Sequence, residues 1–289
     1  MILISKHIIQ SILSIIKIFI LSKFFRVLKV KTSVKKSCVI IANGPSLTTS
    51  LVKYANQLND YDTVCVNYFA MSEYYCIIKP NFYILAAPLF FLADNKLSTA
   101  YIDSRNQIFS NIQEKTNWNL TLMVPFIAKK SKFFTAFLDR NPKINCVYFN
   151  PTPIEGLSFV NNILFNLGLG MPRPHNILIP AIMNCIYLNY KVIYIIGADH
   201  SWLPEISVNE KNEALINQKH FYDEADSKPE QMKDLISRPR KLHEIIYKFY
   251  LTFKGYWLIK EYATSKNVDI YNASEISTID AFERKTISE

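Results

Sequence analysis

Cys38-Val39-Ile40-Ile41-Ala42-Asn43-Gly44-Pro45-Ser46-Leu47 decides the fold. A short β-branched run, apolar enough to be buried on both sides, empties into a turn of Asn, Gly, Pro and Ser. Glycine at a strand exit lets backbone approach a phosphate or ribose with no Cβ in the way. The residues after it can open a helix whose free N–H groups attract anions. The stretch is either a nucleotide loop or an ordinary strand-to-helix turn. Its glycine count falls short of the dinucleotide fingerprint, and nothing matches the phosphate-loop pattern ending in Lys-Ser/Thr.

Outward from this run the pattern repeats. Cys38–Ala42, Thr63–Asn67, Phe82–Ala86, Leu120–Pro125, Cys146–Phe149, Val192–Ile196 and Val268–Tyr271 are short, β-branched or aromatic runs that suit buried strands. Leu51–Leu58, Ile108–Glu114, Phe133–Leu138, Ile177–Asn189 and Leu242–Ala263 place apolar residues at helical intervals. The alternation predicts an α/β fold: a Rossmann-like, mostly parallel sheet with helices on both faces and ligands outside the carboxyl ends of the strands. The exits near 42, 67 and 196 are expected to converge on one pocket. The polar stretch from about 204 to 240 breaks the pattern and reads as an inserted lid.

With 289 residues, 49% of them hydrophobic, the chain can bury a substantial core. Cysteines at 38, 65, 76, 146 and 185 are odd in number and widely spaced. They suggest neither a disulfide framework nor a zinc site, and fit a reducing cytosol. The net charge of +9 is unevenly placed. Residues 1–36 carry eight Lys and Arg and no acid, so the body from 37 to 289 is nearly neutral. A nucleic-acid binder spreads its basic residues over a recognition surface, so nucleic acid is not expected as a partner.

Residues 1–36 form a basic amphipathic arm, with Lys6, His7, Gln10, Ser14 and Lys17 making a narrow polar stripe through Ile, Leu and Phe. The uncharged stretches 8–16 and 18–22 fall short of the roughly 20 residues that a spanning helix needs. The expected partner is an anionic membrane surface at the cytoplasmic face of the inner membrane, met by an in-plane helix backed by the basic segment 23–36. A single tilted span and a helix packed on a protein are the alternatives.

Further constellations fall at strand exits or helix starts. Asn67 ends a strand and either reads a base or sugar with its amide or forms a turn. Gly197-Ala198-Asp199-His200-Ser201-Trp202 follows another strand. Asp199 there either holds a ribose diol or metal or caps a helix, His200 suits a base or phosphate contact, and Trp202 suits a wall for a sugar or base. Arg173, Pro174, His175 and Asn176 precede the helix at Ile177, as a phosphate cradle or with Asn176 as a plain cap. His220 lies in the insertion and His243 just beyond it, each beside a cation. There is no HExxH, no close His/Cys group and no GxSxG, so metalloprotease and α/β-hydrolase chemistry are unsupported and no metal is expected.

Ile40–Leu47 with Asn43-Gly44-Pro45-Ser46-Leu47, then Cys65-Val66-Asn67, then Tyr190–Asp199 resembles the bacterial sialyltransferases of glycosyltransferase family 42. It also resembles the related Rossmann-like central domain of flagellin-modifying motility accessory factors. Order and spacing agree over residues 38–272, with close matches at about thirty positions. The Asn-Gly-Pro-Ser-Leu motif is shared with archaeal hydroxymethylpterin pyrophosphokinases. The resemblance implies an inverting, metal-independent transferase that uses a CMP-activated acidic sugar as donor substrate, without a cofactor. It implies that Asn43 and Ser46, beside Gly44 and Pro45, contact the CMP phosphate and ribose, Asn67 the cytosine or phosphate, and Asp199, beside Gly197, the nucleoside. Where the sialyltransferases carry a Thr-Ser-Gly turn, this chain has His175-Asn176-Ile177. Their catalytic histidine follows the lid, and His243 occupies the nearest comparable place, with His220 and His200 as the other candidates.

Moving an anomeric carbon from CMP to an acceptor hydroxyl needs a base at that hydroxyl and stabilisation of the departing phosphate. His243 or His220 suits the first role, and Arg173 and His175 the second. The expected function is therefore a glycosyltransferase that moves a nonulosonic acid to a surface glycan or glycolipid. The alternatives are a pterin-type pyrophosphokinase using ATP and magnesium, or an inactive nucleotide-binding scaffold.

Overall fold

β1 (Ser37–Ile41) runs through the middle of the sheet, and its side chains alternate between two cores. Cys38 and Ile40 join one apolar cluster and Val39 and Ile41 the other. A strand buried on both faces needs a helical layer on each side, which is what the computed structural model contains. The structure describes residues 2–24, 35–217, 221, 228–234 and 238–287.

The strands are β1, β2 (Asp62–Val66), β3 (Phe82–Ile84), β4 (Leu120–Pro125), β5 (Ile144–Phe149), β6 (Val192–Ile196), β7 (Ile206–Val208), β8 (Ala214–Ile216), β9 (Asp269–Asn272) and β10 (Glu283–Arg284). The helices are α1 (Ile2–Leu21), α2 (Leu47–Lys53), α3 (Tyr74–Ile78), α4 (Thr99–Lys115), α5 (Lys132–Leu138), α6 (Ser158–Asn166), α7 (Leu178–Tyr187) and α8 (Leu242–Ser265). Among the described residues, eight strands form one parallel sheet in the order β10-β9-β6-β1-β2-β3-β4-β5. The fold is α/β and Rossmann-like. All seven strands expected from sequence are present, and β10, a two-residue edge, joins them.

Strand order fixes where a ligand can sit. From β1 the chain builds outward through β2 to β5, then returns through α6 and α7 to lay β6 against the other side of β1. Connections leave β1 and β6 in opposite directions, which opens a crevice at their carboxyl ends. α7 and α8 cover one face through Ile179, Ile182, Met183, Tyr256 and Ile259, and α2, α4 and α5 pack in the other core.

The segment from 204 to 240 contains the antiparallel hairpin β7–β8 and is tied by bridges Ile216–Glu230 and Lys233–Pro239. Ala214, Ile216 and Met232 pack on Ile245 and Phe249 of α8, with Trp202 beside them. At the far side the Phe221 N–H donates to the Asn43 carbonyl at 3.1 Å, and its ring meets Phe69 and Tyr74. The insertion thus reaches from α8 to the exit of β1.

α1 docks by its serines. The Ser14 hydroxyl donates to the Glu155 carbonyl at 2.8 Å and accepts the Glu155 N–H at 2.9 Å. Ser11 Oγ accepts the Leu157 N–H, and Ser22 Oγ lies against Thr152 and the Leu169 carbonyl. Ile18 enters the core with Phe149, Ile154 and Phe165. Part of the polar stripe therefore faces the protein, while Ile9, Ile12, Leu13, Ile16, Phe19 and Ile20 stand exposed. Among the described residues no helix is long and apolar enough to cross a membrane.

Gly156 permits this docking. Its φ is +133°, and a Cβ there would collide with Ser11, lying 2.6 Å from the Ser11 backbone nitrogen. Gly156→Ala should cost about 1–3 kcal/mol and detach α1. A melting temperature lowered by several degrees, with faster proteolytic release of the first 24 residues, is the expected outcome.

Candidate active site

The exits of β1, β2 and β6 do converge. Ala42, Asn43 and Gly44, then Asn67, then Gly197, Asp199 and His200 border one cleft of about 750 Å³. The Gly44 N–H donates to the Gly197 carbonyl at 2.7 Å. A Cβ on Gly44 would sit 2.6 Å from that oxygen, and Gly197 itself holds φ at +65° against Leu47. Backbones this close admit no side chain at either position.

Asp199 is the buried partner of the motif turn. Its carboxylate accepts the Ser46 N–H at 2.8 Å and the Ser46 hydroxyl at 2.5 Å. Burial raises its pKa, and the two Ser46 hydrogen bonds oppose that rise. Both oxygens are engaged, so Asp199 positions the loop at the start of α2, and Ser46 turns to Asp199 and does not border the cleft. Pro45 borders it but has no N–H. The N–H groups of Gly44, Ser46 and Leu47 are all committed within the fold. The backbone cradle suggested by the motif is thus closed to a phosphate at these positions.

Side chains do the reaching instead. Asn43 Nδ2 donates to the Val66 carbonyl at 3.0 Å, which fixes the amide orientation and leaves Oδ1 buried with no partner. Asn67 is held at φ +47°, its carbonyl accepts the Tyr83 hydroxyl, and its Oδ1 is likewise buried and unpartnered. A left-handed non-glycine residue with an unsatisfied amide marks a site that local packing alone does not explain.

His200 shows the same backbone strain at φ +53°. Its ring lies 4.1 Å from that of Trp202, which in turn stacks on Phe249. Nε2 is 2.6 Å from the Tyr256 hydroxyl, and that hydroxyl donates to Asn176 Oδ1 at 3.2 Å. A phenol has one proton. Having given it to Asn176, Tyr256 accepts from His200, so Nε2 carries the hydrogen and Nδ1 the lone pair. Burial pushes the His200 pKa down to about 3 and keeps the ring neutral.

The other sequence candidates divide. His175 and Asn176 border the cleft ahead of α7, and Asn176 Oδ1 also accepts the Leu178 N–H, so it caps as well as orients. Arg173 is not brought to the cleft, because it pairs with Glu155 at 3.4 Å. His243 is not brought there either. It stands exposed in the first turn of α8, off the stripe that Ile245, Phe249 and Thr252 bury. His220 lies outside the described residues. Sequence reasoning missed Arg240, Lys248 and Tyr256. A signal existed for Lys248, which falls on that buried stripe, three residues after Ile245 and four before Thr252. Among the described residues no group of three His, Cys, Asp or Glu side chains gathers to hold a metal.

No protein-family model matches the chain, and no curated protein matches it. Among solved structures it is similar to the MAf glycosyltransferase from Magnetospirillum magneticum AMB-1, with a TM-score of 0.48, 11% sequence identity and 97% of this chain covered. The chain spans 38% of the length of that protein.

Asp199→Ala leaves the Ser46 donors unpaired and should cost about 1–3 kcal/mol. Asp199→Asn keeps an oxygen acceptor for the Ser46 N–H and places its NH2 where Oδ1 stood, so that it donates to the Ser46 hydroxyl oxygen. Because folding raises the Asp199 pKa, the stability this group contributes is fully present below its unfolded value and lost as pH rises through the folded one. The Asn variant should therefore melt at or above the wild-type temperature at neutral pH and lose that margin near about pH 4. The Ala variant should melt lower at both.

Proposed function

We propose that the cleft binds a nucleotide-activated sugar and that the protein transfers the sugar to an acceptor hydroxyl, with a CMP-linked nonulosonic acid as donor. One observation carries this reading: Asn43 Oδ1 and Asn67 Oδ1 are buried acceptors without donors at the ends of adjacent strands, bordering the same cleft. Ribose hydroxyls and the exocyclic amine of cytosine are the donors a nucleoside offers them. The motif order Asn43–Leu47, Asn67, Gly197–Asp199 supports CMP within that class.

His200 is the base in this scheme. The acceptor hydroxyl gives its proton to His200 Nδ1 as its oxygen bonds to the anomeric carbon. The bond from that carbon to the phosphate oxygen breaks, and its electron pair leaves on CMP with inversion at carbon. His200 Nε2–H, Tyr256 and Asn176 hold the ring so that Nδ1 is the nitrogen left for substrate. A pyrophosphokinase needs carboxylates for magnesium, and Asp199, one of two acids that border the cleft among the described residues, is committed to Ser46.

A thermal-shift panel of CMP, CDP, UDP, GDP and ATP with magnesium tests the nucleotide first. Stabilisation by CMP or CDP is expected, and stabilisation by ATP alone would favour the kinase. His200→Gln should cut CMP release by about 10²–10⁴-fold with donor affinity retained, whereas a scaffold has no turnover to lose. With the His200 pKa near 3, kcat/KM should hold level from pH 8 down to about 5. A fall centred near about 6.5 would assign the base elsewhere.

The exposed face of α1 is proposed to lie on the anionic cytoplasmic leaflet, where a lipid-linked acceptor is anchored. Ile12, Ile16 and Phe19 supply apolar contact, and the charge of residues 1–36 complements acidic lipid. The full chain should float with vesicles containing phosphatidylglycerol and less with pure phosphatidylcholine. Ile12→Glu with Ile16→Glu should abolish flotation without lowering the melting temperature, because both residues are exposed. Equal flotation of wild type and variant would remove this assignment.

A further inference from the structure

Three basic groups from separate parts of the chain meet on the wall of the cleft, and no acid of the described residues is hydrogen-bonded to any of them. Lys248 lies on the buried stripe of α8, and the polar atom it contacts is Met232 Sδ at 4.0 Å. Arg240 closes the insertion, held by its N–H to the Met232 carbonyl at 2.8 Å, and its Nε is buried with no partner. His175 precedes α7, and its Nε2 is also buried with no partner. All three border the cleft.

The neighbouring charges sharpen the picture. Burial and then Arg240 lower the Lys248 pKa. Burial pushes His175 down to about 4, helped by Arg173, Lys248 and Arg240 and opposed by Glu155. Glu155 pairs with Arg173 and lies 3.9 Å from Lys254. Of the two carboxylates that border the cleft among the described residues, Asp199 is bound to Ser46 and Glu205 lies on the insertion. Gathering like charges and unfilled donors in a half-buried place opposes folding unless a ligand brings the counter-charge. The N–H groups of Gly44, Ser46 and Leu47 are committed within the fold, so these three offer an anion in this cleft no donor.

We propose that Arg240, Lys248 and His175 form an anion subsite of the cleft that takes a carboxylate or phosphate of the bound substrate. The proposal deepens the donor assignment and rests on it for the identity of the substrate, while the anion chemistry is tested separately. The carboxylate of an acidic sugar and the phosphate of the nucleotide are the two sources of that chemistry.

The test titrates the full chain, by calorimetry at two salt concentrations, with cytidine, CMP, CMP-N-acetylneuraminate and pyrophosphate. Arg240→Met and Lys248→Met are compared with wild type. If the wall takes the sugar carboxylate, both variants weaken CMP-N-acetylneuraminate by about tenfold and leave CMP unchanged. If it takes phosphate, CMP and pyrophosphate weaken while cytidine does not. Either result supports the subsite. Should wild type ignore cytidine and both CMP compounds yet bind pyrophosphate, with the variants losing it, the nucleotide assignment falls and the subsite stands. Variants that bind every probe as wild type does, or a wild type that prefers none of the anions to cytidine, overturn it. Melting of the ligand-free protein gives a second readout. Lys248→Met removes a desolvated charge and should raise the melting temperature, whereas a lysine kept for packing would give a lowered temperature with anion affinity intact.

Discussion

The contact on which the rest depends is the closure of the β1 exit onto the β6 exit, through Gly44 N–H to the Gly197 carbonyl and Ser46 to Asp199. Connections that leave two paired strands in opposite directions open a crevice that would ordinarily hold water. Here two glycines allow backbone contact and a buried carboxylate locks the turn, so the floor of the cleft is built before any ligand arrives. The cost is chemical. Satisfying these N–H groups internally uses up the donors that a strand-to-helix turn would otherwise offer to a phosphate.

The floor is complete, and the buried polar atoms without partners that border the cleft, Asn43 Oδ1, Asn67 Oδ1, His175 Nε2 and Arg240 Nε, belong to side chains around it. Two of the left-handed non-glycine residues, Asn67 and His200, border the same space. Strain and unpaired polarity at one place are tolerated when the surroundings over-determine them, and here Tyr83 holds Asn67 while Tyr256 and Trp202 hold His200.

Much of the scaffold was legible in the sequence, because a strand buried on both faces must be written in continuous β-branched and aromatic residues. The Cys38–Ala42 and Val192–Ile196 runs placed the strands, and the polar residues after them placed the site. What could not be read was direction. Ser46 and Asp199 are both plausible ligand contacts until their mutual hydrogen bonds are seen. Arg173 and His175 differ by two positions, yet one pairs with Glu155 and the other borders the cleft. Proximity in sequence to the insertion favoured His243, whereas helical phase along α8 sends it outward and brings Lys248 and Tyr256 inward. α1 shows a related effect: serine is polar in composition but short enough to bury, so Ser14 of the polar stripe and Ser11 beside it dock on the protein.

The cleft is polarised as a result. Acceptor oxygens from Asn43 and Asn67 gather at the strand exits, and cations from Arg240 and Lys248 gather on the wall made by the insertion and α8. A ligand that carries hydrogen-bond donors at one end and negative charge at the other meets both walls in one orientation, whereas the reverse orientation sets amine against ammonium and anion against amide oxygen. His200 lies between α8 and the exit of β6, bound to Tyr256 of α8. Orientation and the proposed base placement would therefore depend on the same helix, since the side of α8 turned to the protein also borders the cleft through Lys248. A cleft with this asymmetry would select by charge order as well as by shape, which suits the proposed donor, whose phosphate and carboxylate lie together at the anomeric carbon, away from the nucleobase.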